Sequence, residues 1–204
     1  MKYLPPIVKI EILDELNNIE SLIFNRLLPS FLTVEQEAKN KENDLLEYQN
    51  TIYDQDIHNE LQFSEDLYFE NINYQNTQLE LRQECLNLFA VHLFHMLEKR
   101  LDRIYSIYHQ TEPKRQKGEN LLSYVKRLPS FNPNYNINND LDWKNLIELN
   151  DVANAVKHGE GRSFDKVKTN YPKLLNKYNE ICIDEESIRK YIQSMRNFWQ
   201  NVLI

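Results

Sequence analysis

The segment at residues 154–159 carries the side chains best suited to chemistry. Asn154 and His158 are four residues apart, so a helix would place them on one face, with Lys157 beside them and Gly159 ending the helix. An imidazole gives or takes a proton near neutral pH, a lysine can hold a phosphate, and an amide can orient either group. The spacing indicates an acid–base site, although a histidine followed by glycine also commonly caps a helix end.

Basic residues follow this segment closely. Arg162, Lys166 and Lys168 are predicted to bind phosphate, together with the basic loop 114–117. Further basic and aromatic residues alternate along the same stretch: Phe164, Tyr171, Lys173, Lys177 and Tyr178. Aromatic rings beside cations hold single-stranded nucleic acid, yet tyrosines also anchor ordinary surface loops. If these residues form a binding surface, RNA or a nucleotide is the predicted ligand.

Metal chemistry has one weak candidate, His92-x-x-His95-x-x-Glu98, whose spacing brings three side chains together on a helix. No second histidine or carboxylate motif completes the ligand set, so these residues are better explained as polar groups of a bundle. Cys85 and Cys182 stand far apart without a Cys-x-x-Cys pattern. We expect no metal, no cofactor and no disulfide.

Charge is distributed unevenly along the 204 residues, which carry a net charge of -7. Residues 1–98 hold 6 Lys/Arg against 18 Asp/Glu, whereas residues 99–204 hold 18 against 13, giving -12 and +5. The acidic total argues against indiscriminate nucleic-acid binding, but the later half could form a basic face. No signal-peptide pattern or membrane-spanning apolar run is found, so we expect a cytoplasmic protein that does not enter the membrane.

Helices must position these residues, because only three glycines and seven prolines interrupt a chain rich in helix-forming residues. Apolar periodicity predicts a long N-terminal helix from Ile7 to about Tyr48, disturbed at Pro29, and a central helix from Gln78 to about His109. Four less extended helices are also predicted, at residues 50–76 with loops, 120–128, from Asp140 or Asp142 to His158, and from Asp184 to the end.

These elements predict an all-α fold, an up-and-down helical bundle with a long N-terminal helix and short extra helices. A single domain is expected over residues 1–204, in which residues 1–76 are a helical extension and residues 77–204 form the bundle that carries the motif.

Residues 78–160 resemble the HEPN superfamily of helical-bundle proteins. Three features carry the resemblance, namely Leu81-Arg82 in a long helix with Phe94, Glu98 and Leu101, then Trp143 and Ile147, then Ala153-Asn154-Ala155-Val156-Lys157-His158-Gly159. In that family an Arg-Asn-x-x-x-His pattern commonly forms a metal-independent ribonuclease site, usually in a homodimer. The resemblance implies catalytic roles for Asn154 and His158.

The family's arginine is replaced in this chain. Ala153 occupies its usual place, and Val152 and Asp151 occupy the places that looser versions of the motif allow. Losing a cation that stabilises the cleaved phosphate would cost about 3 kcal/mol, by analogy with the loss of one oxyanion donor. Lys157 or Arg162 would have to substitute, so the chain is either a ribonuclease with an altered site or a degenerate relative.

The sequence therefore predicts a HEPN-like protein of a bacterial defence or toxin-antitoxin system, acting on RNA as a homodimer with a cognate antitoxin or defence protein. Two alternatives stay open. One is a non-catalytic module for dimerisation or protein binding, and the other is a nucleotide-binding regulator.

Overall fold

The structure, a computed structural model, describes residues 5–52, 60–109, 115–116, 119–128 and 131–201. Its regular elements are helices: α1 (Pro6–Leu22), α2 (Val34–Ile52), α3 (Glu60–His109), α4 (Leu121–Lys126), α5 (Leu141–His158), α6 (Arg162–Asn170) and α7 (Glu185–Asn201). Within the described ranges no strand is present, only an isolated bridge between Leu175 and Ile181. The all-α prediction is confirmed.

Contacts between residues divide the chain into two compact units, Met1–Glu20 with Cys85–Ile204, and Ser21–Glu84. The division falls inside α1 and inside α3. The predicted single domain and its boundary at residue 76 stay predictions.

The unit Ser21–Glu84 has a polar helix pair. A π-helical turn (Ile23–Leu27) and a 3₁₀ turn (Leu28–Phe31) follow α1, at the position where Pro29 interrupts the predicted long helix. The side chains of α2 then bond to those of α3, with Lys41 Nζ 3.1 Å from Glu70 and the Tyr74 hydroxyl donating to Glu37 at 2.6 Å. Residues 53–59, within the segment predicted as helix with loops, lie outside the described residues.

The other unit holds the core that positions the predicted site. Apolar side chains of α1, α3, α4, α5 and α7 are fully or almost fully buried there, among them Ile12, Leu16, Leu93, Leu97, Leu101, Tyr124, Leu146, Leu149, Tyr191 and Trp199. Burying this surface is the main stabilising contribution of the bundle. Helix α5 contacts both α6 and α7.

Polar contacts fix α5 against α7 and α3 against α1. Glu148 of α5 accepts hydrogen bonds from Lys190 at 2.5 Å and from the Tyr191 hydroxyl at 2.7 Å. Arg100 of α3 lies 2.5 Å from Glu15 of α1. The contacts of Glu148 fix α5, which carries Asn154 and His158, against α7.

Candidate functional site

Helix α5 begins and ends where its sequence signals indicate. The Asp140 carboxylate accepts a hydrogen bond from the Trp143 backbone N–H at 2.7 Å, which satisfies one of the free donors of the first turn. The helix ends at His158 because Gly159 adopts φ 68° and Gly161 adopts φ 141°, in a region that favours glycine. The predicted end of this helix is confirmed.

The three residues predicted to be catalytic lie on the last turn and a half of α5. Lys157 and His158 are exposed, and Asn154 is half-buried. The Asn154 amide nitrogen donates to the backbone carbonyl of Asn150 at 2.8 Å and to the Asn150 side-chain oxygen at 3.2 Å. The amide N–H groups therefore serve the helix itself, and the side-chain oxygen of Asn154 is the atom left for a ligand.

No cation comes from the positions where the family has its arginine. Asp151, Val152 and Ala153 are all buried. The Asp151 carboxylate accepts from Lys166 Nζ at 3.2 Å and from the Asn150 amide at 3.3 Å. An arginine's place in the motif thus holds a carboxylate that is tied to α6.

A cleft of about 780 Å³ lies next to these residues. The segment before α4, the start of α4, the middle of α5 and the start of α6 form its walls, with Arg115, Gln116, Glu119, Asn120, Leu121, Leu122, Trp143, Ile147, Asn150, Asp151, Arg162, Ser163 and Lys166. Three cations, two carboxylates, three side-chain amides, one hydroxyl and an apolar wall meet there. This combination suits a ligand that carries both phosphate and an aromatic base.

The three cations of the cleft differ in their partners. Arg115 lies 3.0 Å from Glu98 and also donates to the backbone carbonyl of Glu119 at 2.7 Å. Lys166 pairs with Asp151, as described above. Arg162 is exposed, and its guanidinium has no ion pair or hydrogen bond among the described residues. A phosphate would therefore meet Arg162 without breaking an existing contact.

The other predicted phosphate-binding residues are not brought to this cleft. Lys168 is exposed and lies roughly 200° round α6 from Lys166, so it faces elsewhere. Lys173, Lys177 and Tyr178 are exposed beyond α6, and Tyr178 lies beneath the Lys177 ammonium. Lys114 and Lys117 of the basic loop lie outside the described residues. Arg162 and Lys166 are the predicted residues that share one surface with Arg115.

A second pocket, of about 330 Å³, lies between α3 and α5. His92, His95 and Glu98 of α3 line it together with Asn154 and Lys157 of α5, over an apolar floor. The pKa of Glu98 is raised above its ordinary value, because the effect of burial outweighs the opposing attraction of Arg115 and His95. The sequence alone does not indicate that His95 and Glu98 face Asn154 and Lys157, because the two pairs lie on different helices.

The histidine and carboxylate spacing of α3 does not assemble a metal site. Within the residues that the structure describes, no group of three or more histidine, cysteine or acidic side chains is placed to hold a metal ion. In the same ranges, no helix is both long and apolar enough to cross a membrane.

Sequence reasoning missed two contributors to the cleft. Helix α6 follows Gly161 directly, and its two internal apolar residues, Phe164 and Val167, give too short a pattern to predict it. Asn150 and Asp151 lie on α5 one turn before Asn154, and the four-residue spacing of Asn150 and Asn154 was the available signal.

Comparisons with family models, with curated proteins and with solved structures found no match to this chain.

Proposed function

We propose that this chain is a HEPN-like, RNA-associated protein of a bacterial defence or toxin-antitoxin system, which binds RNA through the cleft lined by Arg115, Arg162 and Lys166. The cleft is the observation that carries the proposal, because it gathers three cations within an acidic chain. We further propose a cytoplasmic homodimer with a cognate antitoxin or defence protein as partner, which light scattering and co-purification would test.

Phosphate recognition rests on the guanidinium groups. Arginine presents a planar fork of donors that matches phosphate oxygens, and Arg162 has that fork unoccupied among the described residues. Lys166 pairs with Asp151 at the edge of the cleft, and its remaining N–H donors can reach a phosphate oxygen without breaking that pair. Two phosphate oxygens can thus be met from one turn of α6.

Base recognition rests on the apolar wall. Leu121, Leu122 and Ile147 line the cleft, and the amides of Asn120 and Asn150 lie along the same surface. Aliphatic side chains can pack against the face of any base, whereas amides can read its edges. The volume of the cleft lies within the range of small-ligand sites, so the cleft has room for a nucleotide of a bound strand.

Binding of a labelled single-stranded RNA, followed by fluorescence anisotropy, tests the proposal. We expect Arg162→Ala to weaken binding by about tenfold, or about 1.4 kcal/mol, as expected for one charge-assisted contact. Lys168→Ala is the matched control, because it removes one exposed cation from the same helix but outside the cleft. Equal affinities of the two variants would place the RNA elsewhere.

Metal-independent RNA cleavage is a second candidate, favoured by the pocket in which Asn154 and Lys157 meet two histidines. In this reading His158 transfers a proton, Lys157 supplies the cation that Asp151, Val152 and Ala153 do not, and the Asn154 oxygen orients the substrate.

Incubation of total RNA and tRNA with the purified protein in EDTA tests this candidate. Cleavage that is lost in His158→Ala supports it, and intact RNA in every sample removes it. Intact RNA together with normal binding would leave the non-catalytic alternatives, an RNA-binding or nucleotide-binding regulator or a dimerisation module, to be separated by competition with free nucleotides.

A further inference from the structure

The pocket between α3 and α5 has the parts of a proton-transfer site. Its α3 wall carries the exposed imidazoles of His92 and His95, and its α5 wall carries Asn154 and Lys157. Two exposed histidines on a solvated helix face would ordinarily signify little. Here they face a lysine and an amide across a concave surface of about 330 Å³, which is large enough to enclose one phosphodiester.

We propose that an RNA phosphodiester is cleaved in the α3–α5 pocket, with His95 taking the proton of the attacking 2′-hydroxyl group. This inference rests on the proposed function, because RNA must first bind the protein. It adds to the residues of the motif a catalytic side chain from a different helix.

Glu98 is the positioning residue for His95. It follows His95 by three residues on α3, so both side chains lie on one face of the helix. The carboxylate is itself fixed by Arg115, whose Nη1 donates to it at 3.0 Å. A half-buried carboxylate beside an imidazole orients the ring and stabilises the imidazolium that forms when the base takes a proton.

Lys157 is placed to hold the phosphate. It is exposed, lines the pocket opposite His95, and makes no ion pair among the described residues. A cation at this point offsets the charge that develops on the phosphoryl oxygens, which is the task the family's arginine would perform.

The reaction balances without an added metal or redox group. The 2′-oxygen loses its proton to neutral His95 and forms a bond to phosphorus, while the bond from phosphorus to the 5′-oxygen breaks. Protonated His158, one turn beyond Asn154 on α5, gives its proton to the leaving 5′-oxygen. The products are a 2′,3′-cyclic phosphate and a 5′-hydroxyl end, and proton exchange with water restores both histidines.

The pocket and the cleft are joined in a way that suits one strand. Arg115 lines the cleft and contacts Glu98, which lines the pocket. On α5, Asn150 lines the cleft and bonds to Asn154, which lines the pocket, and the two positions are roughly 6 Å apart along the helix axis. A strand held in the cleft would therefore extend directly over the pocket.

Several charged groups lie around His95. The groups on the surrounding elements are Glu98, His92, Lys99, Arg100 and Arg103 of α3, Lys157 of α5, and Glu15 of α1, some of them across an adjoining cavity of about 260 Å³. Glu98 is the acidic group next to His95 on its own helix face, so Glu98→Gln isolates its influence.

The experiment measures initial rates of cleavage of a fluorogenic RNA oligonucleotide in EDTA, from acidic to alkaline pH. We expect His95→Gln to lower the rate by about 10²-fold or more and to remove the limb that rises with pH. Glu98→Gln should lower the rate less and move that limb to lower pH, because a neighbouring carboxylate favours the imidazolium. Glu160→Gln, an exposed glutamate beyond α5, is the matched control.

Binding of the same oligonucleotide with 2′-O-methyl riboses separates the two proposals. Normal binding with a rate unaffected by His95→Gln, or with no cleavage by the wild-type protein, would overturn this inference and leave RNA binding intact. Absence of binding by the wild-type protein would overturn the proposed function as well. Helical circular dichroism of each variant confirms that the bundle is folded.

Discussion

At the scale of single residues, Asp151 links α5 to α6. Its carboxylate is buried, and the ammonium group of Lys166 is the cation that pairs with it. The sequence could not show that Asp151 pairs with α6, since that helix was not predicted. If the proposed relationship to HEPN proteins holds, a position where that family's looser motif allows an arginine here fixes one wall of the cleft.

Lys166→Met should destabilise the protein because it leaves the buried Asp151 charge without its counter-ion. We expect a loss of about 1–3 kcal/mol in the free energy of unfolding, below the cost of breaking a fully buried pair because Lys166 is half exposed. Urea unfolding checks this, with Lys168→Met expected to change stability by less than about 0.5 kcal/mol. Equal midpoints for the two variants would show that the pair contributes nothing.

The burial of Glu98 should make the stability of the protein fall as pH rises. Burial raises its pKa above the ordinary value of 4.5, so the folded state holds this proton more tightly than the unfolded state. The resulting stabilisation is full below 4.5 and is lost as pH rises through the folded-state pKa. In urea unfolding, the wild-type protein should therefore lose stability relative to Glu98→Gln over that window. A wild-type protein that gains stability relative to Glu98→Gln as pH rises would contradict the placement of Glu98.

At the scale of elements, helix ends were the most predictable feature. Asp140, Gly159 and Asp184 act as the sequence indicated, because capping depends on local hydrogen bonds and on backbone angles. Helix α3 begins at Glu60, whereas the sequence predicted a start at Gln78. The earlier start was not predicted because the first turns are rich in polar residues and lack an apolar stripe. Helix α6 was not predicted because its apolar pattern is too short.

The cap of α7 offers a test at this scale. The Asp184 carboxylate accepts from the Ser187 backbone N–H at 2.7 Å, and hydrogen bonds from Ser187 lower its pKa. Asp184→Ala should cost about 1 kcal/mol at neutral pH. This contribution is present above the ordinary value of 3.8 and is lost as pH falls through the folded-state pKa, so unfolding curves of the two proteins should converge in acid. Persistence of the full difference in acid would contradict the cap.

At the scale of the whole molecule, composition was sufficient to predict the all-α class. A chain with three glycines and long stretches of helical apolar periodicity favours helices over closely spaced hairpins. The cleft and the pocket could not be predicted in this way, because each combines residues of helices that are distant in the sequence. The pairing of Arg115 with Glu98 is an example. No local sequence pattern indicates that these two side chains meet, or that they connect the cleft with the pocket.

The unequal charge distribution predicts how RNA binding depends on salt. The chain carries -7 overall, so non-specific attraction should be weak, and the three cations of the cleft should dominate. Log affinity against log salt concentration should have a slope of about -2 for single-stranded RNA, and Arg162→Ala should reduce its magnitude by about 0.7. A slope near zero would show that phosphates do not contact the cleft.

Photo-crosslinking would show whether RNA lies in the cleft beside α5. RNA containing 4-thiouridine would be bound to the wild-type protein and irradiated, and the modified peptides would be identified by mass spectrometry. We expect crosslinks within residues 115–128 and 141–166 that are lost in Arg162→Glu. Crosslinks confined to Ser21–Glu84, or unchanged in that variant, would contradict this placement of the RNA.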